Sequence, residues 1–220
     1  VRIAVQRQPE TRVHCVRSDG TVAILIYDAA EEIKCWVDFE TDGEVEDVVV
    51  LPGTVEDSVY YTIARTIGGT VRYHEKWAME SECVGGTLNK QADSFLSGTG
   101  SGATITGLSH LNGETVVCWA DGEYKGIFTV SGGVIAQAYT TGYVVGLSYT
   151  ARYKSTKLAY AIEGGTALCM KKRVNQLGII GRNIHPTGLQ YGPDFDTMDD
   201  LPLVEDGVEI DADTIRDAYD

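Results

Sequence analysis

Between residues 13 and 77, apolar and polar side chains alternate in short runs separated by turn signals. The pattern predicts strands over Val22 to Tyr27, Ile33 to Phe39, Val45 to Leu51, Val59 to Ile67 and Val71 to Trp77. The breaks fall at Ser18-Asp19-Gly20, Thr41-Asp42-Gly43, Pro52-Gly53 and Gly68-Gly69. Ile33, Cys35, Val37 and Phe39 share one face of their strand, opposite Lys34 and Asp38, and this apolar side is expected to face a core. Val22-Ala23-Ile24-Leu25-Ile26 is apolar on both faces and reads as an inner strand covered on two sides. Short antiparallel strands at this spacing fit a sandwich or neighbouring propeller blades.

Residues 81–105 break the pattern. Gly, Ser and Thr dominate the second half, and SGTGSGAT has neither the spacing nor the flanks of a phosphate loop, so the segment is expected to be a linker. Strands resume at Thr115 to Ala120, Gly126 to Val130, Gly133 to Ala136 and Val144 to Tyr149. Asp121-Gly122 between two apolar runs is a strong hairpin signal. Residues 106–150 therefore read as a small β-barrel or sandwich of their own, with Val116 and Cys118 facing its core and Gly113 setting a turn. Residues 158–182 are ambiguous: Ala167, Met170, Val174 and Leu177 recur at helical spacing, yet Val174 to Ile180 is also a fair strand.

Composition narrows the reading. The 220 residues are 43% hydrophobic and 23% charged, enough for one substantial core or two smaller ones. No apolar run approaches the roughly 20 residues needed to span a bilayer, and the first residues lack the apolar stretch of a signal peptide. The start without Met and the stop inside an acidic run make the chain read as a piece of a longer polypeptide. The five cysteines (Cys15, Cys35, Cys83, Cys118, Cys169) never occur as CxxC, so reduced, mostly buried thiols and synthesis in a cytoplasm are expected.

The net charge of −14 is segmental: −10 over residues 1–150, +6 over 151–193 and −10 over 194–220. A basic block next to an acidic tail points to partners within the chain or in another subunit.

Catalytic chemistry finds little to work with. His110 and Glu114 flank the turn Asn112-Gly113, so they do not share a helix face as zinc ligands of the HExxH type do. Ser109 beside His110 says nothing about a triad, which is assembled by the fold. Of the remaining histidines, His14, His74 and His185, none has a suitably spaced Cys or His partner. The run DFDTMDDLPLVED (194–206) has acids at positions 1, 3 and 12 of a calcium loop, but Met198 and Asp199 occupy its fifth and sixth positions. No catalytic, cofactor-binding or metal-ligating residue is assigned, and the chain is not expected to be an enzyme. A β-surface carrying Tyr60, Tyr61, Trp119 or Tyr124 is the alternative, as a module that stacks on a glycan or engages a host receptor.

The ordered series QRQPETRVHCVRSDG, EDVVVLPGTVEDSVYYTIARTIGGTVRYHEKW, GLSHLNGETVVCWADG with FTVSGG, VVGLSYTARYKSTKL and GLQYGPDFD resembles the tail nozzle proteins of short-tailed phages, also called tail tubular protein B or phage hub proteins. The resemblance covers nearly the whole chain and lies in motif order and Gly-turn positions. It implies a mostly β fold of antiparallel β-propeller blades with a small inserted β-domain of the FCCH-like kind. On that reading 1–80 is blade-like, 81–105 a linker and 106–150 the inserted domain. Residues 151–193 are a basic β/loop region returning to the main body, and 194–220 an acidic tail. The resemblance further implies a virion tail protein that assembles with copies of itself into a ring, a hexamer in this family. Its partners would be the tail adaptor and genomic DNA passing through without specific binding, and no membrane would be involved.

Overall fold

The computed structural model describes residues 1–79, 92–156, 161–162, 165–166, 174, 177–179, 184, 186–205 and 207–211. Among them the chain is mostly β, its sheets antiparallel and none of them closed, and no helix is long and apolar enough to cross a membrane. The chain divides into two compact units, Val1–Thr150 and Ala151–Asp220.

The first unit opens with a four-stranded meander in the order β1-β2-β3-β4, made of β1 (Arg2–Gln6), β2 (Thr11–Val16), β3 (Val22–Asp28) and β4 (Ile33–Phe39). A three-stranded meander follows, from β5 (Glu44–Leu51), β6 (Ser58–Thr66) and β7 (Thr70–Lys76). Val16, Val22 and Ile24 of the first sheet are buried with Val45, Val48, Val59 and Ile63 of the second. The register puts Val16 opposite Val22, and Val22 opposite Phe39, so one face of the first sheet meets one face of the second. Each of these side chains contributes about 2 kcal/mol by leaving water. The meanders form because the turns hold residues suited to them and the strands between alternate with period two.

Two expectations are corrected here. Of the apolar side of β4 only Phe39 reaches the core, while Ile33 and Val37 are 44% exposed and Cys35 is exposed. The reason is position, since β4 is the outermost strand of its sheet. Cys35 therefore departs from the expected set of buried thiols; Cys118 is buried and Cys15 half-buried, and all three are free.

The rest of the first unit is a four-stranded sheet in the order β11-β10-β13-β8, with β8 (Asp93–Thr99), β10 (Thr115–Ala120), β11 (Glu123–Thr129) and β13 (Gly142–Leu147). β9 (Ile105–Thr106) and β12 (Val134–Ile135) form a two-stranded sheet beside it. Ile105, Leu108, Leu111, Val116, Cys118 and Val145 fill its core. Val116 and Cys118 thus face inward as expected, and Asp121-Gly122 is the two-residue connection of the β10–β11 hairpin. Both of its residues have positive φ, 55° and 81°, the backbone that twists with the strands.

The expected linker is shorter than its composition implied, because residues 93–99 are a strand of this sheet. Gly98 of DSFLSGT answers to its neighbour there: a Cβ on it would lie 2.7 Å from the Tyr143 ring, which packs against the core. Nor do residues 106–150 stand alone, since β8 belongs to their sheet and residues 1–150 make one compact unit.

In the second unit the described residues form three short hairpins. These are β14 (Ala161–Ile162) with β15 (Gly165–Thr166), β16 (Gln190–Asp194) with β17 (Thr197–Asp200), and β18 (Val204–Glu205) with β19 (Val208–Glu209). Most of the ambiguous stretch 158–182 and the tail beyond 211 lie outside the described residues, as do Cys83, Cys169 and His185.

Candidate functional site

Polar side chains gather in two places in the first unit. One is the aromatic-lined contact between the two meanders. His14 is 1% exposed and sits edge-on to Tyr61 and Trp77, with ring centroids 5.9 and 5.5 Å away. Its Nδ1 lies 2.6 Å from the Tyr61 hydroxyl and its Nε2 3.3 Å from Gln6 Oε1, while Gln6 Nε2 donates to the Gln8 carbonyl at 2.8 Å. Since Gln6 Oε1 accepts, Nε2 carries the proton and Tyr61 donates to Nδ1, which makes the ring neutral. Burial, then the nearby Arg12 charge, lowers the His14 pKa to about 4, and burial pushes the Tyr61 hydroxyl up.

The other is centred on Arg65 of β6, 3% exposed. Its guanidinium holds Glu75 of β7 bidentately, with Nε and Nη2 donating at 2.7 and 2.8 Å. It also donates to Thr41 Oγ1 at 3.0 Å and to the Asp42 carbonyl, and Asp93 Oδ2 lies 3.8 Å away. Burial opposes the charge of Arg65, but the Glu75, Asp93 and Asp42 carboxylates outweigh it and raise its pKa. Ser94 Oγ donates to Glu75 at 3.0 Å, Thr41 donates to Asp93, and His110 Nε2 donates to the Ser94 carbonyl at 2.9 Å. His110 also meets Tyr73 edge-on at 6.2 Å. His110 is thus half-buried in a 3-10 turn (Ser109–Leu111) and ties β8 to β7.

In the Arg65 cluster the Ser94 and Thr41 hydroxyls donate to carboxylates that Arg65 itself holds. Every buried side-chain N or O among the described residues has a partner, and no group of three His, Cys, Asp or Glu there can hold a metal ion. Arg65 and His14 therefore act as ties between elements. Sequence reading missed both, because their partners lie 10, 24, 28 and 47 positions away. The inward register of Arg65, in phase with Val59, Tyr61 and Ile63, is the one local signal.

The remaining candidates separate cleanly. His74 is exposed on β7, 3.1 Å from Thr62 Oγ1, and Glu114 is half-buried beyond its turn. Of the proposed aromatic surface, Tyr61 is 2% exposed and bonded to His14, so it cannot meet a ligand. Trp119 and Tyr124 do lie together, ring centroids 5.8 Å apart, on the outward side of the β10–β11 hairpin. In the second unit, the Asp194 carboxylate accepts from Asp196 N, Thr197 N and Thr197 Oγ1 at 3.1, 2.9 and 2.6 Å, and these bonds lower its pKa. It serves its own hairpin turn. Arg152 and Lys154 sit over the Phe195 ring at 5.7 and 5.8 Å.

No protein-family model matches this chain, and no curated protein sequence is significantly similar to it.

Proposed function

We propose that the chain is a structural piece of a short-tailed phage tail, part of a nozzle ring below the adaptor through which the genome leaves. The observation that carries the reading is the face-to-face stacking of two consecutive antiparallel meanders, β1–β4 on β5–β7. Successive propeller blades pack in this way. In this reading the two meanders are blades, and residues 93–150 are the small inserted FCCH-like domain. The likeness is of fold and carries no chemistry with it. Motif order along the chain and the acidic total support the same reading.

A ring requires a head-to-tail contact between identical copies, a hexamer in this reading. The adaptor and other tail proteins are its further partners, and DNA is a passenger. Electron microscopy of virions labelled on this protein tests the proposal. Label at the tail below the portal is expected; label on the capsid or fibres overturns it.

Trp119 and Tyr124, side by side on an outward face, favour a second reading as a glycan-binding tail module. Glycan-array binding that is lost on Trp119→Ala would support it.

A further inference from the structure

From Ile33 to Asp38 strand β4 is exposed on both faces and along one edge, and only Phe39 packs inward. Trp36 is 63% exposed on one side and Ile33 and Val37 44% exposed on the other, and among the described residues nothing pairs with its outer edge. A long, apolar edge of this kind offers a row of unpaired backbone N–H and C=O groups as a template for another strand. Lysine, proline or a bulge often blunts such edges. Here a single Lys34 is followed by an acid at Asp38, and β3–β4 pairing runs from Val22↔Phe39 to Asp28↔Ile33 without a register shift.

The sequence of the strand, IKCWVDF, specifies the occupant. It is self-complementary about Trp36. In an antiparallel pairing of two copies centred there, Lys34 falls opposite Asp38 of the partner subunit, and Asp38, whose Oδ1 accepts from Arg17 of its own chain at 2.5 Å, falls opposite Lys34 of the partner subunit. On the other face Ile33 meets Phe39 of the partner subunit, and Cys35 meets Val37 of the partner subunit. Trp36 meets its own counterpart on the two-fold axis. Opposite charges and apolar pairs directly across a ladder are the favourable cross-strand combinations, and a slip by one residue would bring charged side chains against the apolar face. Glu32 and Glu40 bracket the strand. Glu32 has φ of 56°, which turns the chain off the ladder, and Glu40 of the partner subunit lies diagonal to Lys34, within reach of its charge.

We infer that β4 is a homodimerisation edge at which two copies of this chain join their four-stranded sheets into one eight-stranded sheet. The contact closes on two copies and is distinct from the head-to-tail contact of a ring, so it stands independently of the nozzle proposal.

Sedimentation velocity of the 220-residue chain over a concentration series tests this, with circular dichroism as the folding control. The wild type is expected to show a reversible monomer–dimer equilibrium. Lys34→Asp, which sets like charges opposite each other twice, should weaken it by about tenfold, and adding Asp38→Lys should restore it. Under mild oxidation a Val37→Cys chain should form dimers linked, by mass spectrometry, between the introduced thiol and Cys35 of the partner subunit, whereas Ile33→Cys should not link to Cys35. A wild type that stays monomeric up to about millimolar concentration, an association indifferent to Lys34→Asp, or failure of the double charge swap to restore it would overturn the inference. Should a charge variant fail to fold, the cross-linking pattern decides alone, since position 37 is exposed.

Discussion

The Tyr61 hydroxyl and His14 Nδ1 meet 2.6 Å apart in the buried contact between the two meanders, so the neutral imidazole joins β2 to β6. Protonation would turn the acceptor nitrogen into a donor facing another donor. The folded pKa is lowered from 6.5 to about 4, while the unfolded chain titrates near its ordinary value. Stability from this site is therefore fully present above about pH 6.5 and declines as pH falls toward 4, because the unfolded state takes up the proton first. The loss reaches about 3 kcal/mol. Urea unfolding at pH 7 and pH 4.5 should show it, and His14→Gln should flatten the difference. An unchanged pH dependence in that variant would show that other groups dominate.

Arg65 leads to a sharper asymmetry. Truncating it to Met leaves Glu75 and Asp93 without their cation in a half-buried setting, which is expected to cost about 3–5 kcal/mol. Arg72→Met removes an exposed pair with Glu46 and should leave the melting temperature nearly unchanged. Equal melting shifts for the two would contradict the role of Arg65 as a tie.

Strand positions in the first unit were legible because alternation and turn residues are local properties. β3 lies in the middle of its sheet as its two-sided apolar run implied, and Asp121-Gly122 turns as its residue types demand. What was not legible depended on neighbours. Alternation in β4 marks a face but not whether anything covers it. The Gly and Ser of β8 look like linker until the Tyr143 ring that needs Gly98 is in place. The ties at His14 and Arg65 join residues distant in sequence, so composition and period carry no trace of their partners.

Thiol reactivity should follow exposure. Cys35 is open to solvent, whereas Cys118 is buried with its pKa pushed up to about 11, mainly by that burial. A small alkylating reagent at pH 8 should modify Cys35 within minutes and Cys118 only on unfolding, as peptide mapping would reveal. Reductant should leave the melting temperature nearly unchanged. A drop of many degrees would reveal a disulfide, whose loss typically costs about 2–5 kcal/mol.

The last prediction joins charge to the proposed conduit. A wall over which DNA slides must not hold it, because each phosphate neutralised by Lys or Arg releases counterions and makes the duplex adhere. The −14 total suits that need, and the +6 of residues 151–193 is its exception. Arg152 and Lys154 sit over Phe195, and Lys154 helps hold the Asp194 carboxylate below its usual range. The start of the acidic segment thus lies against the start of the basic one. Lys157, Lys171, Lys172 and Arg173 fall outside the described residues. Exposed contacts of this kind are individually weak and are screened within about 8 Å at physiological salt, so they mask charge more than they stabilise the fold. Duplex binding at about 150 mM salt, measured for the full chain and for one ending at Pro193, separates the possibilities. The full chain should bind negligibly and the shortened chain measurably, with an affinity that falls steeply as salt rises. Tight binding by the full chain would refute the sliding wall, and no binding by either would show that the basic block does not depend on residues 194–220 for its masking.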